Sequence, residues 1–335
     1  MTSPLHRLDD AQAAGMAVSL EMVRRAFSEG RVGAHPEDDT LIVALNYRCN
    51  SRCRFCIVAP EIDRGLDDAN LTVFDAVYRA NAAARREGRG FRRLTISGAE
   101  STLMPDLPAL VARAVQAGGF DVVRLQTNAR RLRDRGFAAA LVDAGATEFF
   151  VSMHAPDRDL DAAITRSPRS FDEMRAGVAN LHTLGARVLS NTVVCRANAH
   201  VLPAIADFLV AQRVQEAHWW SFLSIAGADQ DDQLVDLPTA LPGLLEALDL
   251  LDDAGIPAVV KWWPRCLLGR HGPKLDNHQP QMLIRDEFQV RLSHGFRFDC
   301  IHADRCRHFG VDCDGQHEAQ ARVFGDLADR LEPQP

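Results

Sequence analysis

The sequence predicts an α/β protein, a partial (β/α)6 TIM-type barrel followed by a small, loop-rich C-terminal module that binds a metal or a cluster. Between residues 39 and 263, helical stretches that end at or near a glycine alternate with short strands rich in β-branched and aromatic residues. No G-x-G-x-x-G follows the first strand, which argues against a dinucleotide-binding sheet. After about residue 264 the alternation stops, and Pro, His, Gly, Asp and Cys take over.

In chain order, residues 1–38 read as a helical extension, with Leu20, Met22, Val23 and Phe27 at helical spacing before a Gly/Pro/Asp linker. Leu41 to Leu45 is the first strand. Glycines then lead into strands at Gly90 (Leu94 to Ser97), Gly119 (Val122 to Gln126), Gly145 (Glu148 to Ser152), Gly185 (Val188 to Val194) and Gly255 (Ala258 to Trp262). His218 to Phe222 follows Val214 without a glycine. The total is six βα units and a seventh strand, and in such folds ligands bind at the carboxyl ends of the strands.

Composition narrows the function. The chain has 335 residues, is 47% hydrophobic and carries a net charge of −7, which gives no basic surface for nucleic acid. Apart from Lys261 and Lys274 its positive charge is all arginine. No apolar run approaches the roughly 18 residues of a membrane span, so the chain reads as cytoplasmic. Eight clustered cysteines are too few for a disulfide scaffold and read as ligands or reactive groups.

Three of them stand in Cys49-Asn-Ser-Arg-Cys53-Arg-Phe-Cys56, directly after the first strand. Thiolates are soft ligands for iron–sulfur clusters and zinc, which normally want four protein ligands. Three thiols leave one iron of a cluster open for chemistry. The alternative is a buried helix stripe, because positions i, i+4 and i+7 share a face. The preceding strand, and the wait until about residue 70 for a helical run, favour a loop.

This C-x3-C-x2-C pattern resembles the signature of radical S-adenosylmethionine enzymes, over roughly residues 39–230. The resemblance implies that Cys49, Cys53 and Cys56 hold a [4Fe–4S] cluster with an open iron site. There the amino and carboxylate groups of S-adenosylmethionine bind, and reductive cleavage yields a 5′-deoxyadenosyl radical that abstracts hydrogen. An electron donor such as flavodoxin or ferredoxin is implied. Phe55 matches the aromatic residue before the third cysteine. Ser97-Gly98-Ala99-Glu100 is similar to the family's Gly-Gly-Glu turn, which binds the methionine amino group, with Ala99 in place of the second glycine. Thr127 and Asn128 end the third strand, and the resemblance implies Ser152 as the ribose candidate, Arg166 as the partner of the methionine carboxylate (with Arg169 competing), and Asn191 as a further ribose or adenine contact. His154 is the acid–base candidate at the barrel mouth, while Cys195 reads as a buried thiol.

In the tail, Cys266, Cys300, Cys306 and Cys313 suffice for one more site. The tail is similar to the SPASM and twitch modules of that family, so a second [4Fe–4S] cluster is expected; zinc is the alternative, with His302, His308 or His317 able to replace a cysteine. A fully ligated second cluster accepts an electron and so favours an oxidative outcome. The 38-residue extension is too short for a peptide-binding winged helix, so the substrate expected is a small polar metabolite such as a sugar, nucleotide or amino-acid derivative. A peptide maturase is the alternative, and a non-catalytic iron–sulfur or zinc protein the reading from another class. Trp219-Trp220 and Trp262-Trp263 are candidates for the pocket wall.

Overall fold

A computed structural model describes residues 20–28, 35–63, 71–104, 106–225 and 231–334. The helix expected in the N-terminal extension is α1 (Leu20–Ser28); residues 1–19 and 29–34 of that extension lie outside the described residues.

Seven strands occur where the sequence places them: β1 (Thr40–Asn46), β2 (Arg93–Gly98), β3 (Val122–Thr127), β4 (Ala146–Ser152), β5 (Arg187–Val194), β6 (Glu216–Ser221) and β7 (Ala258–Lys261). An eighth, β8 (Gln281–Leu283), was not anticipated. All pair in parallel in the order β7-β6-β5-β4-β3-β2-β1-β8, a curled sheet that does not close on itself. Register from β1 to β2 runs Leu41 to Leu94 and Val43 to Ile96, and from β1 to β8 Leu41 to Gln281 and Val43 to Leu283. The chain beyond residue 264 therefore contributes a strand to the barrel. A strand of three residues, Gln281–Leu283, is too short to announce itself in the sequence.

The strands are joined by α2 (Ala59–Asp63), α3 (Leu71–Arg86), α4 (Leu107–Gln116), α5 (Arg135–Asp143), α6 (Arg158–Thr165), α7 (Ser170–Thr183), α8 (Leu202–Ala211) and α9 (Leu237–Asp253). Gly119, Gly145, Gly185 and Gly255 take the left-handed conformation that ends a helix, and in the unit lacking a glycine Arg213 takes it instead, at φ 54°. Before β2 the left-handed residue is Gly88 rather than Gly90. Alternate strand residues divide between two faces. Leu94, Ile96, Val123, Leu125, Phe149, Val151, Ala217 and Trp219 join the helices in the main core, each such large apolar side chain contributing about 1.5–3 kcal/mol. The intervening Thr95, Ser97, Arg124, Gln126, Phe150, Ser152, His218 and Trp220 face the lumen.

Beyond β8 come α10 (Asp286–Gly295), the small antiparallel pair β9 (Phe298–Asp299) with β10 (Gln316–His317), and α11 (Glu318–Phe324). Phe288 and Leu292 of α10 pack with Ala44, Tyr47, Ile225 and Ile284 across the barrel mouth. Among the described residues, no helix is long and apolar enough to cross a membrane.

Candidate active site

The lumen and mouth of the barrel form a cavity of about 2220 Å³, open side included, and Cys49, Cys53 and Cys56 all line it. Their loop leaves β1 without helical structure, so the helix-stripe alternative does not apply. It is fixed on three sides. Arg130, itself buried, donates to Asn50 O and, at 3.0 Å, to Ser51 Oγ, while its Nε binds Glu173 Oε2 at 2.7 Å. Asn128 Nδ2 donates to Asn50 Oδ1 at 2.7 Å. The backbone N–H groups of Arg52 and Arg54 bind Thr165 O and Ile164 O, each at 3.0 Å, and Arg54 Nε binds Ala163 O at 3.0 Å. These carbonyls are available because Arg166, at φ 54°, ends α6 in a left-handed cap and leaves the last carbonyls without helical partners.

Burial, reinforced by the Glu100 carboxylate and by Cys56, pushes the Cys49 thiol up to about 12. Burial likewise pushes Cys56 to about 11, and it raises Cys53 well above the ordinary thiol value, with Cys56 and Cys49 adding to it. Three thiols that share one loop and line one cavity are a soft donor set that fits a cationic iron site.

Of the other residues singled out by the sequence, Phe55, Ser97, Gly98, Ala99, Thr127, Asn128, Ser152, His154 and Asn191 all line the cavity. Gly98 is required there: at φ 134° a side chain is strained, and a Cβ would lie 2.2 Å from Asn46 O. Asn191 Oδ1 is buried without a partner, an orphan acceptor of the sort that a ligand hydroxyl satisfies.

Three expectations are corrected. Glu100 does not face the cavity: it is wholly buried, Oε1 accepting from Thr102 N (3.1 Å), Thr102 Oγ1 (2.6 Å) and Thr127 Oγ1 (2.5 Å), and Oε2 from Asn128 N (2.7 Å). With Asn46 Nδ2 donating to its carbonyl, Glu100 ties together the ends of β1, β2 and β3 instead of meeting an ammonium. Arg166 points away, its side chain exposed; what it supplies is the helix end that receives the cysteine loop. Arg169 is also exposed, 3.6 Å from Glu173. His154 is held neutral, because burial lowers its pKa to about 3, and its Nδ1 accepts the Val193 N–H at 3.2 Å. Nε2 then carries the proton, and the ring, edge-on to Phe55 at 4.7 Å, is a fixed neutral donor.

Arg130, Asp161 and the lumen ions escaped the sequence reading. Arg130 stands in Arg130-Arg131-Leu132-Arg133, where nothing marks which arginine turns inward. Asp161 lines the cavity with its carboxyl raised by burial and bonded by Ser170 Oγ. At the lumen floor, Glu148 takes Arg124 Nε (2.8 Å), Arg187 Nη1 (2.7 Å) and Arg93, and Glu216 takes Arg187 Nη2 (2.8 Å) and His218 Nε2 (2.7 Å).

Cys266, Cys300, Cys306 and Cys313 meet at one separate cleft of about 350 Å³. The histidines considered as replacement ligands are occupied at both ring nitrogens. His302 binds Leu331 O and Arg305, His308 binds Asp312 and Arg307, and His317 binds Gly295 O and the Ala319 N–H. Among the described residues no three His, Cys, Asp or Glu side chains converge closely enough for a single metal ion. Cys195 is a core thiol packed with Phe55, Ile164 and Phe222.

Residues 43–209 match the family described as the Radical SAM superfamily. The PqqA peptide cyclase of Methylorubrum populi is 26% identical over 255 residues, 72% of this chain and 63% of that protein. The GTP 3′,8-cyclase of Chlorobaculum tepidum is 31% identical over 172 residues, 50% of this chain and 49% of that protein. The chain thus spans less than two thirds of the length of these curated relatives. Among solved structures, Streptococcus suis SuiB bound to S-adenosylmethionine superposes with a TM-score of 0.57 at 15% identity, covering 96% of this chain and 72% of that one.

Proposed function

Because the chain belongs to the radical S-adenosylmethionine superfamily and is an enzyme of that family, we propose that it modifies a peptide by an oxidative radical reaction. The family's [4Fe–4S] cluster and S-adenosylmethionine are its cofactors. When bound, they supply a carbon-centred radical that removes a hydrogen atom, and a second cluster supplies an acceptor for one electron. Cys49, Cys53 and Cys56 hold the first cluster, on a loop kept in place by Arg130 and the end of α6. Gly98 and Ala99 let backbone approach the methionine end, Ser152 and Asn191 meet the ribose, and His154 offers a neutral N–H. Cys266, Cys300, Cys306 and Cys313 hold the second cluster; the occupied ring nitrogens of His302, His308 and His317 support cysteine-only ligation.

The observation that carries the peptide reading is the extent of likeness. The similarity to a peptide cyclase runs over 72% of the chain, whereas the nucleotide cyclase matches only 50%. This replaces the small polar metabolite expected from the sequence with the peptide alternative. A wide, open cavity with aromatic and aliphatic walls supports it too.

The test is to incubate the reconstituted, reduced enzyme with S-adenosylmethionine and the short peptides encoded beside its gene. The expected outcome is a peptide lighter by two hydrogens, with deuterium passing from labelled peptide into 5′-deoxyadenosine. Deuterium transfer from a labelled sugar or nucleotide, with every peptide unchanged, sinks the peptide reading.

A further inference from the structure

We propose that the mouth of the cavity carries a site for an aromatic side chain, walled by Trp220, Trp262 and Phe296; the inference rests on the peptide reading and names the residue type that the peptide presents. The three rings come from β6, from the end of β7 and from the turn after α10, and all line the cavity. Trp220 and Trp262 meet edge to face at 5.2 Å, and Trp262 and Phe296 at 5.6 Å. Rings in this arrangement leave edges and faces for another ring to complete.

Trp262 carries the strongest mark. Its backbone is left-handed at φ 64°, a conformation that a bulky residue adopts only when the surroundings impose it, and its N–H is held by Asn277 Oδ1 at 2.7 Å. Its neighbour Trp263 is fully buried in the main core, so the two adjacent indoles divide between core and cavity; Trp219 and Trp220 divide likewise. A strained indole directed to a cavity wall, where glycine would be free of strain, points to a role for the ring itself.

The cations that line the cavity are already engaged: Lys261 Nζ donates to His278 O at 2.8 Å, and Arg124 pairs with Glu148 at 2.8 Å and lies 5.7 Å from the centre of the Phe150 ring. The walls therefore select by ring contact rather than by charge. Two ring nitrogens of lining residues, Trp220 Nε1 and His218 Nδ1, are buried without partners. They favour a ring that carries a hydroxyl or N–H, tyrosine or tryptophan, over phenylalanine.

Saturation-transfer NMR on the reconstituted, S-adenosylmethionine-loaded enzyme tests this with N-acetyl amides of tyrosine, tryptophan, phenylalanine, leucine and lysine at equal concentration. The tyrosine or tryptophan amide should bind best, phenylalanine less well, and leucine and lysine roughly tenfold more weakly than the best. Trp262→Gly removes the ring and also relieves the backbone, so it should keep its iron and lose the preference for aromatic amides; Phe296→Leu should weaken it. Equal binding of the leucine amide, or an undiminished aromatic preference in Trp262→Gly, overturns the pocket. Modification of a peptide at a site with no aromatic residue overturns the pocket while leaving the peptide reading intact, and the two failures are thereby told apart.

Discussion

Cys49, Cys53 and Cys56 occupy eight residues of chain on a loop bonded from three directions, whereas Cys266, Cys300, Cys306 and Cys313 are gathered from loops around a smaller cleft. In the first set the pKa values all rise. In the second, burial raises Cys266, Cys300 and Cys313, but backbone N–H groups of Gln334, His308 and Phe309 outweigh burial at Cys306 and lower it. One set sits on a single loop that the barrel holds by backbone and side-chain bonds; the other is drawn from three stretches of the tail, around residues 266, 300–306 and 313. A site that must present an open iron to a reactant needs a rigid loop, while a fully ligated cluster can itself supply the rigidity.

Four experiments bear on this contrast. Cys53→Ala should abolish S-adenosylmethionine cleavage, by roughly a thousandfold or more, and remove about four of roughly eight irons per chain; normal cleavage with full iron would place the reactive cluster elsewhere. Replacing Cys300 and Cys306 by alanine should also reduce iron from about eight to about four per chain, yet leave cleavage within a fewfold of the parent while modified product disappears. If product survives, the two sites do not divide the work. Arg130→Met breaks a buried pair with Glu173 and should cost about 3 kcal/mol in denaturant unfolding, at the low end for such pairs, because Arg133 still reaches Glu173 at 2.6 Å.

The effect that is smallest near neutral pH, and grows only in acid, concerns His154. His154 has a folded pKa of about 3 against an ordinary 6.5, so below 6.5 the unfolded chain binds a proton that the folded one refuses. Stability should therefore be fully retained above pH 6.5 and fall as pH drops towards 3, by up to about 1.4 kcal/mol per pH unit. His154→Gln should flatten this limb in thermal melts at several pH values; an unchanged slope would assign the acid sensitivity to other groups.

Much of the fold was legible because strand periodicity and helix-ending glycines are local signals. The Cys49, Cys53 and Cys56 loop was legible because three soft ligands at short spacing have few other uses. What escaped depended on direction in space. Arg166 and Arg130 are equally plausible in sequence, but the left-handed turn at Arg166 sends one side chain to solvent, while a similar turn at Ala129 (φ 60°) precedes the arginine that goes inward. Glu100 was placed in the right turn, but Thr102, Thr127 and Asn128 take up its carboxylate. β8 was invisible because three residues carry no periodicity and their partner lies far away in the chain.

That long separation bears on how the protein is made. β1, which feeds the cysteine loop, gains its outer neighbour only from Gln281–Leu283, and Arg291 of α10 grips Glu61 with both carboxylate oxygens at 2.6 Å just beyond Cys56. At ordinary synthesis rates of about 5–20 residues per second, roughly 10 to 50 seconds separate the emergence of these partners from the ribosome. Throughout that interval the cysteine loop is synthesised but one edge of its barrel is bare, so the loop gains its final surroundings only once residue 291 has been made.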